Sequence, residues 1–429
     1  MRLGGRLAAA IEVLTDMETR HRPAAEALKD WGLSHRFAGA GDRAAIGNIV
    51  YDALRRKRSA AWLAGSDTPR AMALGALALE NRMSAADIAS AFDGDRFAPE
   101  PPTTDEISAL SSHRLGDAPA LVQADCPDWC EPLLRETFGE DWIAETAALA
   151  ARPPLDMRVN TLKSEIDRVA SELQPTGAAE TQIARHGLRI APIEGAGRHP
   201  NVQVEPAFQK GWFEVQDEGS QMAAALAGAA PGMQVLDYCA GAGGKTLALA
   251  AAMENKGQIF AHDSDKSRLA PIFDRLKRAG VRNAQVVAGI AGLSGHEGQM
   301  DLVLIDAPCT GSGTWRRRPD AKWRLTDRQL EVRTGEQAEI LEKASRFVRP
   351  GGRLVYVTCS VFDAENGAQI DRFVTDNPDF APVDHRAHFD TVFPGRSDKA
   401  RIDPARGIVL SPHRTGTDGF FVAVLERSA

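Results

Sequence analysis

Disulfide chemistry has little to work with in this chain. Five cysteines, Cys126, Cys130, Cys239, Cys309 and Cys359, are scattered through 429 residues, an odd number with no framework spacing. That excludes a small stapled fold and leaves each thiol to be judged singly. Also missing is any unbroken apolar run near the eighteen or so residues a bilayer crossing requires. The run Leu7 to Ile11 stops at Glu12, too early for a secretory leader, so the expectation is a cytoplasmic protein with no membrane partner. Positive charge is not in excess either: 51 Lys and Arg stand against 58 Asp and Glu, a net charge of −7. Any nucleic acid must therefore be gripped locally. No internal repeat or low-complexity tract is present, which sets solenoids aside.

What is present is ordinary globular material, 43% hydrophobic and 25% charged, in a length that predicts two or three domains. Leu7, Ile11 and Leu14, then Ile46, Ile49, Val50 and Leu54, repeat at helical spacing ahead of the basic run Arg55 to Arg58. Pro99, Pro101 and Pro102 mark a connector, and helix resumes from Ala118 to about Leu149. After Arg152-Pro153-Pro154 the texture changes to a short strand-like run, Met157 to Leu162. From Met233 onward short apolar runs alternate with helical segments, which predicts a parallel sheet covered on both faces. Gly407 to Leu410 and Gly419 to Leu425 read as a closing strand pair. The expected division is helical 1–145, small α+β 146–229 and α/β 230–429.

The first strand of the α/β part, Val235-Leu236-Asp237, runs into Cys239-Ala240-Gly241-Ala242-Gly243-Gly244-Lys245-Thr246 and then an Ala/Leu helix. A glycine turn there lets backbone amides approach a ligand. A nucleoside triphosphate loop would need glycine at position 239, which is Cys, and a dinucleotide fingerprint would need it at Thr246. Asp263, about twenty residues on at the end of the second strand, suits the ribose hydroxyls of an adenosine-type cofactor.

The fourth strand ends Asp306-Ala307-Pro308-Cys309 and the fifth ends Thr358-Cys359-Ser360. Both endings belong on the carboxyl edge of the sheet, where ligands bind. A thiolate can add to an electron-poor ring carbon and later leave. Cytosine is such a ring: attack at C6 activates C5 toward methylation, if a carboxyl group binds the N3 edge and another group assists loss of the C5 proton. Cys126 and Cys130 have no second ligand pair at zinc spacing and read as structural, with no metal expected. An amino-group methyltransferase would want an aromatic residue after the fourth strand, which Asp306 to Cys309 lacks.

With these residues in hand the chain resembles the RsmB/Sun family of S-adenosylmethionine-dependent RNA cytosine-5 methyltransferases. The resemblance rests on the two cysteine motifs, on Gly211 to Ser220 (GWFEVQDEGS) and on the Arg158 to Lys163 pattern. It implies a Rossmann-like class I methyltransferase domain with a mostly parallel seven-stranded sheet, preceded by a small α+β RNA-recognition region and a NusB-like RNA-binding bundle. Cys359 is then the nucleophile, Cys309 assists release, Asp306 binds the base and Lys245 orients these groups. S-adenosylmethionine is held by Cys239, Ala240, Gly241, Ala242, Gly243, Gly244, Lys245, Asp263, Arg268, Ile290 and Asp306. Two positions depart from the family: Gly241-Ala242 replaces Ala-Pro, and Ile290 stands where an Asp is usual beside the adenine.

The resemblance makes the partner RNA, ribosomal and 16S in the first instance, with no oligomer required. Arg158, Asn160 and Lys163 are expected at the RNA. So is the cluster Trp315-Arg316-Arg317-Arg318 with Trp323, which pairs phosphate-binding charge with indoles able to stack on a base. The alternative to an enzyme is a non-catalytic RNA-binding or assembly protein that keeps the fold, and Ile290 is the residue favouring it.

Overall fold

The computed structural model describes residues 1–429. They form two compact units, one of residues 1–153, 192–199 and 315–325, the other of 154–191, 200–314 and 326–429. This grouping differs from the expected division at 145/146 and 229/230. The small α+β region is bonded into the α/β part, and two later segments return to the helical part.

The first unit is built on α1 (Leu3–Arg20), α2 (Ala24–Ser34), α3 (Ala40–Arg55), α4 (Lys57–Ala64) and α5 (Pro69–Glu80). The periodic residues Leu7, Leu14, Ile46, Ile49, Val50 and Leu54 share one core with Leu74 and Leu77. Helix α5 starts where its sequence dictates: Pro69 opens the first turn and the Thr68 hydroxyl accepts from the Ala71 amide. Gly75 lets α5 close on α4, since a Cβ there would stand 2.1 Å from the Ala60 carbonyl oxygen.

The last turn of any helix leaves carbonyls without partners. In α3 two of them are met by side chains from far along the chain. Trp323 Nε1 donates to the Leu54 oxygen at 2.6 Å, and Lys322 Nζ donates to the Arg55 oxygen at 3.1 Å and to Asp125 at 2.6 Å. Trp315, Arg316 and Lys322 are all buried, and Arg55 Nε donates to the Arg316 carbonyl at 2.8 Å. The cluster placed at the RNA by sequence is thus largely an internal element of the helical unit, with Arg317 half-buried and Arg318 exposed. The basic run at the end of α3 is likewise engaged: Arg55 pairs with Asp52, Arg56 with Glu80 and Arg58 with Asp128. Cys126 and Cys130 are buried beside Lys322, and burial pushes the Cys126 thiol up to about 12.

The second unit holds two sheets. The small one joins β1 (Leu155–Val159), β2 (Ala179–Glu180), β3 (Gly187–Ile190) and β4 (Phe213–Val215) in the antiparallel order β2-β3-β1-β4. Glu214, from the GWFEVQDEGS stretch, is buried and accepts from Arg275 and Arg278 of the helix Ile272–Ala279. Asp156 accepts from Arg189 and from the Glu218 amide. These bonds explain why the small sheet belongs with the large one.

The large sheet comprises β5 (Gln234–Asp237), β6 (Gln258–Asp263), β7 (Ala284–Ala288), β8 (Met300–Asp306), β9 (Val348–Thr358), β10 (Phe380–Pro382), β11 (Arg401–Asp403), β12 (Gly407–Leu410) and β13 (Phe420–Arg427). The order is β11-β12-β13-β9-β8-β5-β6-β7, with β10 also on β13. Strands β5 to β9 pair in parallel, and β10 to β13 add antiparallel pairs, so nine strands extend the expected seven. Residues alternate between the two faces. Val235, Leu302, Leu304, Val355 and Val357 join one core with Met222 and Leu249, while Leu236, Val303, Ile305, Leu354 and Tyr356 join the other with Leu341 and Ile370. Burial on both faces is why these strands are apolar throughout.

Burial lowers the Lys322 amine to about 8 from its usual 10.5. Below about pH 8 both folded and unfolded chains hold the proton and the full cost of the buried charge is present. Between 8 and 10.5 only the unfolded chain holds it, so stability rises with pH. Relative to Lys322→Met, the wild-type chain should therefore gain up to about 3 kcal/mol between pH 8 and 10.5. Urea unfolding of both proteins across that range checks this; a constant difference would contradict it.

Candidate functional site

The connections from β5 lead through β6 to β7 on one side, whereas β8 and β9 lie on the other, so the order reverses at β5. A crevice opens at the carboxyl ends of strands at such a switch point. Those ends carry Asp237, Asp263, Asp306 and Thr358, followed by Cys359.

Two loops bring the thiols together: Cys309 Sγ and Cys359 Sγ are 3.3 Å apart. The Cys309 loop is fixed by Glu365, a fully buried carboxylate that accepts from the Thr310 amide at 2.8 Å and the Thr310 hydroxyl at 2.5 Å. Gln337 donates to Glu365 at 3.0 Å and to the Pro308 carbonyl at 2.9 Å. The Cys359 loop is fixed by Asn366, which accepts from Thr358 at 2.6 Å and donates to the Ser360 carbonyl at 3.0 Å. Ser312 and Ser360 hydroxyls, 2.9 Å apart, join the loops directly. The hydrogen bond with Cys359, burial and the Glu365 charge all hold the Cys309 thiol well above its ordinary range.

Asp306 is open to a ligand, its side chain 37% exposed, and Lys245 Nζ grips it at 2.7 Å from a buried position. An ammonium so placed fixes where the carboxyl group points. Lys245 also lies 5.4 Å from the Phe420 ring centroid.

The turn from Cys239 to Gly244 is shaped by Gly241 at φ +49° and Gly243 at φ +81°. A Cβ on Gly243 would fall 2.5 Å from Ile272, so that position needs glycine twice over. The Gly241 amide donates to Asp263 at 3.0 Å, and the Asp265 amide donates to its other oxygen at 2.9 Å. Each carboxylate oxygen retains capacity for a hydroxyl donor. Arg268 stands 3.6 Å from Asp263. Ile290, just past β7, is 54% exposed, an apolar side chain presented to solvent at the same edge. A glycine cradle, a carboxylate with free lone pairs and an uncovered apolar side chain fit the amino acid, ribose and adenine portions of S-adenosylmethionine. The Cys239 thiol is raised by burial and by Asp263, Asp237 and Asp306.

Sequence reading missed Glu365, Gln337 and Asn366, whose only signal was polarity within otherwise helical or loop sequence. It also passed over Asp237, which burial raises to about 7 and which accepts from Thr246 Oγ1 at 2.6 Å. Conversely, two of three residues expected at the RNA are internal. Arg158 is buried against Gln216 at 2.7 Å, and Asn160 Nδ2 donates to the Gly211 and Ala279 carbonyls at 2.8 Å each. Lys163 is exposed but tethered to the Arg278 and Lys210 carbonyls.

Residues 224–426 match the family described as 16S rRNA methyltransferase RsmB/F, and residues 126–192 match its RsmF/B-like ferredoxin-like domain. The chain is 33% identical over 317 residues to a probable ribosomal RNA small subunit methyltransferase B of Synechocystis, covering 71% of this chain and 68% of that one. It is 36% identical over 251 residues to ribosomal RNA small subunit methyltransferase B of an Enterobacter strain, spanning 57% of its length. Among solved structures, that of PH0851 superposes over the whole of both chains with a TM-score of 0.72 and 26% identity.

If Ile290 takes the place of a carboxylate beside the adenine, then Ile290→Asp should tighten S-adenosylmethionine binding by about 1 kcal/mol, the net worth of one hydrogen bond. Isothermal titration calorimetry of both proteins reads this directly, and weaker binding by the variant would assign Ile290 an apolar contact that the acid cannot replace.

Proposed function

Since the chain belongs to the RsmB/F family of 16S rRNA methyltransferases, we propose that it methylates C5 of a cytosine in ribosomal RNA of the small subunit, using S-adenosylmethionine. The observation that carries this reading is the 3.3 Å pair of thiols beside a lysine-held Asp306 at the sheet's switch point.

Cys359 forms a bond from sulfur to C6, which pushes electron density onto C5. Asp306 accepts from the exocyclic amine and holds the ring against the thiolate. The cofactor supplies an electrophilic methyl group. Once C5 carries the methyl, a base, the Cys309 sulfur or a water, takes the C5 proton, the C–H electrons restore the C5–C6 double bond, and the bond from Cys359 to C6 breaks with its electron pair returning to sulfur. Cys309 sits close enough to Cys359 to serve this second half. Asp263, the 239–244 turn, Arg268 and Ile290 hold the cofactor. The base must be unpaired or turned out of its stack for sulfur to reach C6. A non-catalytic assembly role gains no support from the site, where both thiols, the carboxylate and its lysine are assembled.

The two thiols should be distinguishable by what accumulates. Cys359→Ala should give neither methyl transfer nor an adduct, while Cys309→Ala should trap a denaturant-resistant protein–RNA adduct through Cys359. The double variant should give no adduct. Denaturing gels with 16S rRNA and cofactor read these outcomes, and an adduct in Cys359→Ala alone would reverse the roles. Bisulfite sequencing of rRNA from cells with and without the protein identifies the base, and an unchanged cytosine pattern would count against the reaction.

A further inference from the structure

In a chain of net charge −7, one cavity of the second unit has a wall with three arginines, a histidine and no carboxylate. It has a volume of about 540 Å3 and is formed between the small sheet and three helices of the large one, Glu218–Leu226, Gly244–Ala252 and His385–Val392. Such a volume suits a ligand of nucleotide size. Arg185 and His186 project from the turn before β3 and Arg396 from the loop after the helix His385–Val392, all three exposed. Arg158 is the third arginine, already committed to Gln216, and burial together with Arg185 and Arg158 lowers the His186 imidazole below its ordinary range, so that ring is a neutral hydrogen-bonding group.

Two further features narrow the ligand. Gln221 lines the cavity and is buried; its Nε2 donates to the Gln216 carbonyl at 2.8 Å, but its Oε1 has no donor. A buried acceptor without a donor costs about 1–3 kcal/mol. The Gln221 Oε1 is closed off in the observed rotamer, so a ligand hydroxyl or amine would supply the missing bond once the Gln221 amide turns toward the cavity. The floor is Ala248, Ala251 and Ala252, small apolar side chains on which a flat ring can lie. Guanidinium groups for a phosphate, an orphaned acceptor for a hydroxyl or amine, and an apolar floor for a ring correspond to the three parts of one molecule.

We propose that this cavity, lined by Arg185, His186, Arg396, Gln221 and the alanines of the helix Gly244–Ala252, is a ribonucleotide site separate from the catalytic edge. The separation follows from the helix itself. Gly244 adjoins the cofactor turn, whereas Ala252 closes the helix eight residues later, about 12 Å along its axis at 1.5 Å per residue. The ribonucleotide is either a unit of a bound RNA strand or a free mononucleotide. In the first case the proposal rests on the RNA reading above; in the second it does not.

The full chain should be titrated with a fluorescein-labelled single-stranded RNA dodecamer, by anisotropy, and with AMP and CMP, by calorimetry. The variants are Arg185→Glu/Arg396→Glu and, independently, Ala252→Trp, which fills the cavity from an exposed helix end. If the site seats RNA, both variants should weaken the dodecamer at least tenfold, and the charge reversal should lower the salt slope by about two phosphate contacts. If it seats a free nucleotide, AMP or CMP should bind the wild-type chain and be lost in both variants, with the dodecamer unaffected. S-adenosylmethionine binding should be unchanged throughout, which separates failure here from failure of the methyltransferase reading. Equal binding of all probes by wild type and both folded variants, or no binding of any probe by the wild type, would overturn the proposal.

Discussion

The catalytic edge exists because β5 has parallel neighbours on both sides whose connections depart in opposite directions. That reversal brings the carboxyl ends of β5, β6, β8 and β9 to one edge of the sheet. Four acidic or nucleophilic groups then converge without any being adjacent in sequence. Charge repulsion among Asp237, Asp263 and Asp306 is the cost of this convergence, and the fold meets it differently at each. Asp237 is raised toward neutrality by burial, Asp263 is satisfied by two backbone amides, and Asp306 is paired with Lys245. One cation, three acids and three environments give a site in which Asp306 alone is both lysine-paired and open to solvent.

Much of this edge was legible in the sequence. Strands buried on both faces are apolar throughout, so their ends are where polar residues first appear, and Asp263, Asp306, Cys309 and Cys359 all lie at or just past such ends. The glycine turn was legible for the same reason, since positive φ at Gly241 and Gly243 leaves a mark in residue type. What could not be read was which polar residues hold the others. Glu365 sits six positions past Cys359 in a loop, and Gln337 lies in the middle of the helix Asp327–Ser345; nothing local ties either to Thr310.

Residues 315–325 failed for a different reason. A string of arginine, lysine and tryptophan next to a catalytic loop has the composition of a nucleic-acid contact. It has equally the composition of a helix cap supplied from afar, because indole N–H and ammonium groups are donors and the end of α3 lacks donors. Composition cannot separate the two, since each asks for cations and aromatics; only the location of unsatisfied carbonyls does. Arg158 and Asn160 carry the same lesson, their polar groups spent on Gln216, Gly211 and Ala279.

The cap on α3 has a consequence for how the chain is made. During synthesis the first 153 residues emerge long before Lys322 and Trp323, and the strands β1 to β8 are translated in between. At a ribosomal rate of about 5–20 residues per second, the end of α3 waits on the order of ten seconds or more for its donors. The helical unit is therefore a discontinuous domain that reaches its final hydrogen bonding only after most of the parallel sheet has left the ribosome, and its completion reports that β8 and the Cys309 loop have been delivered.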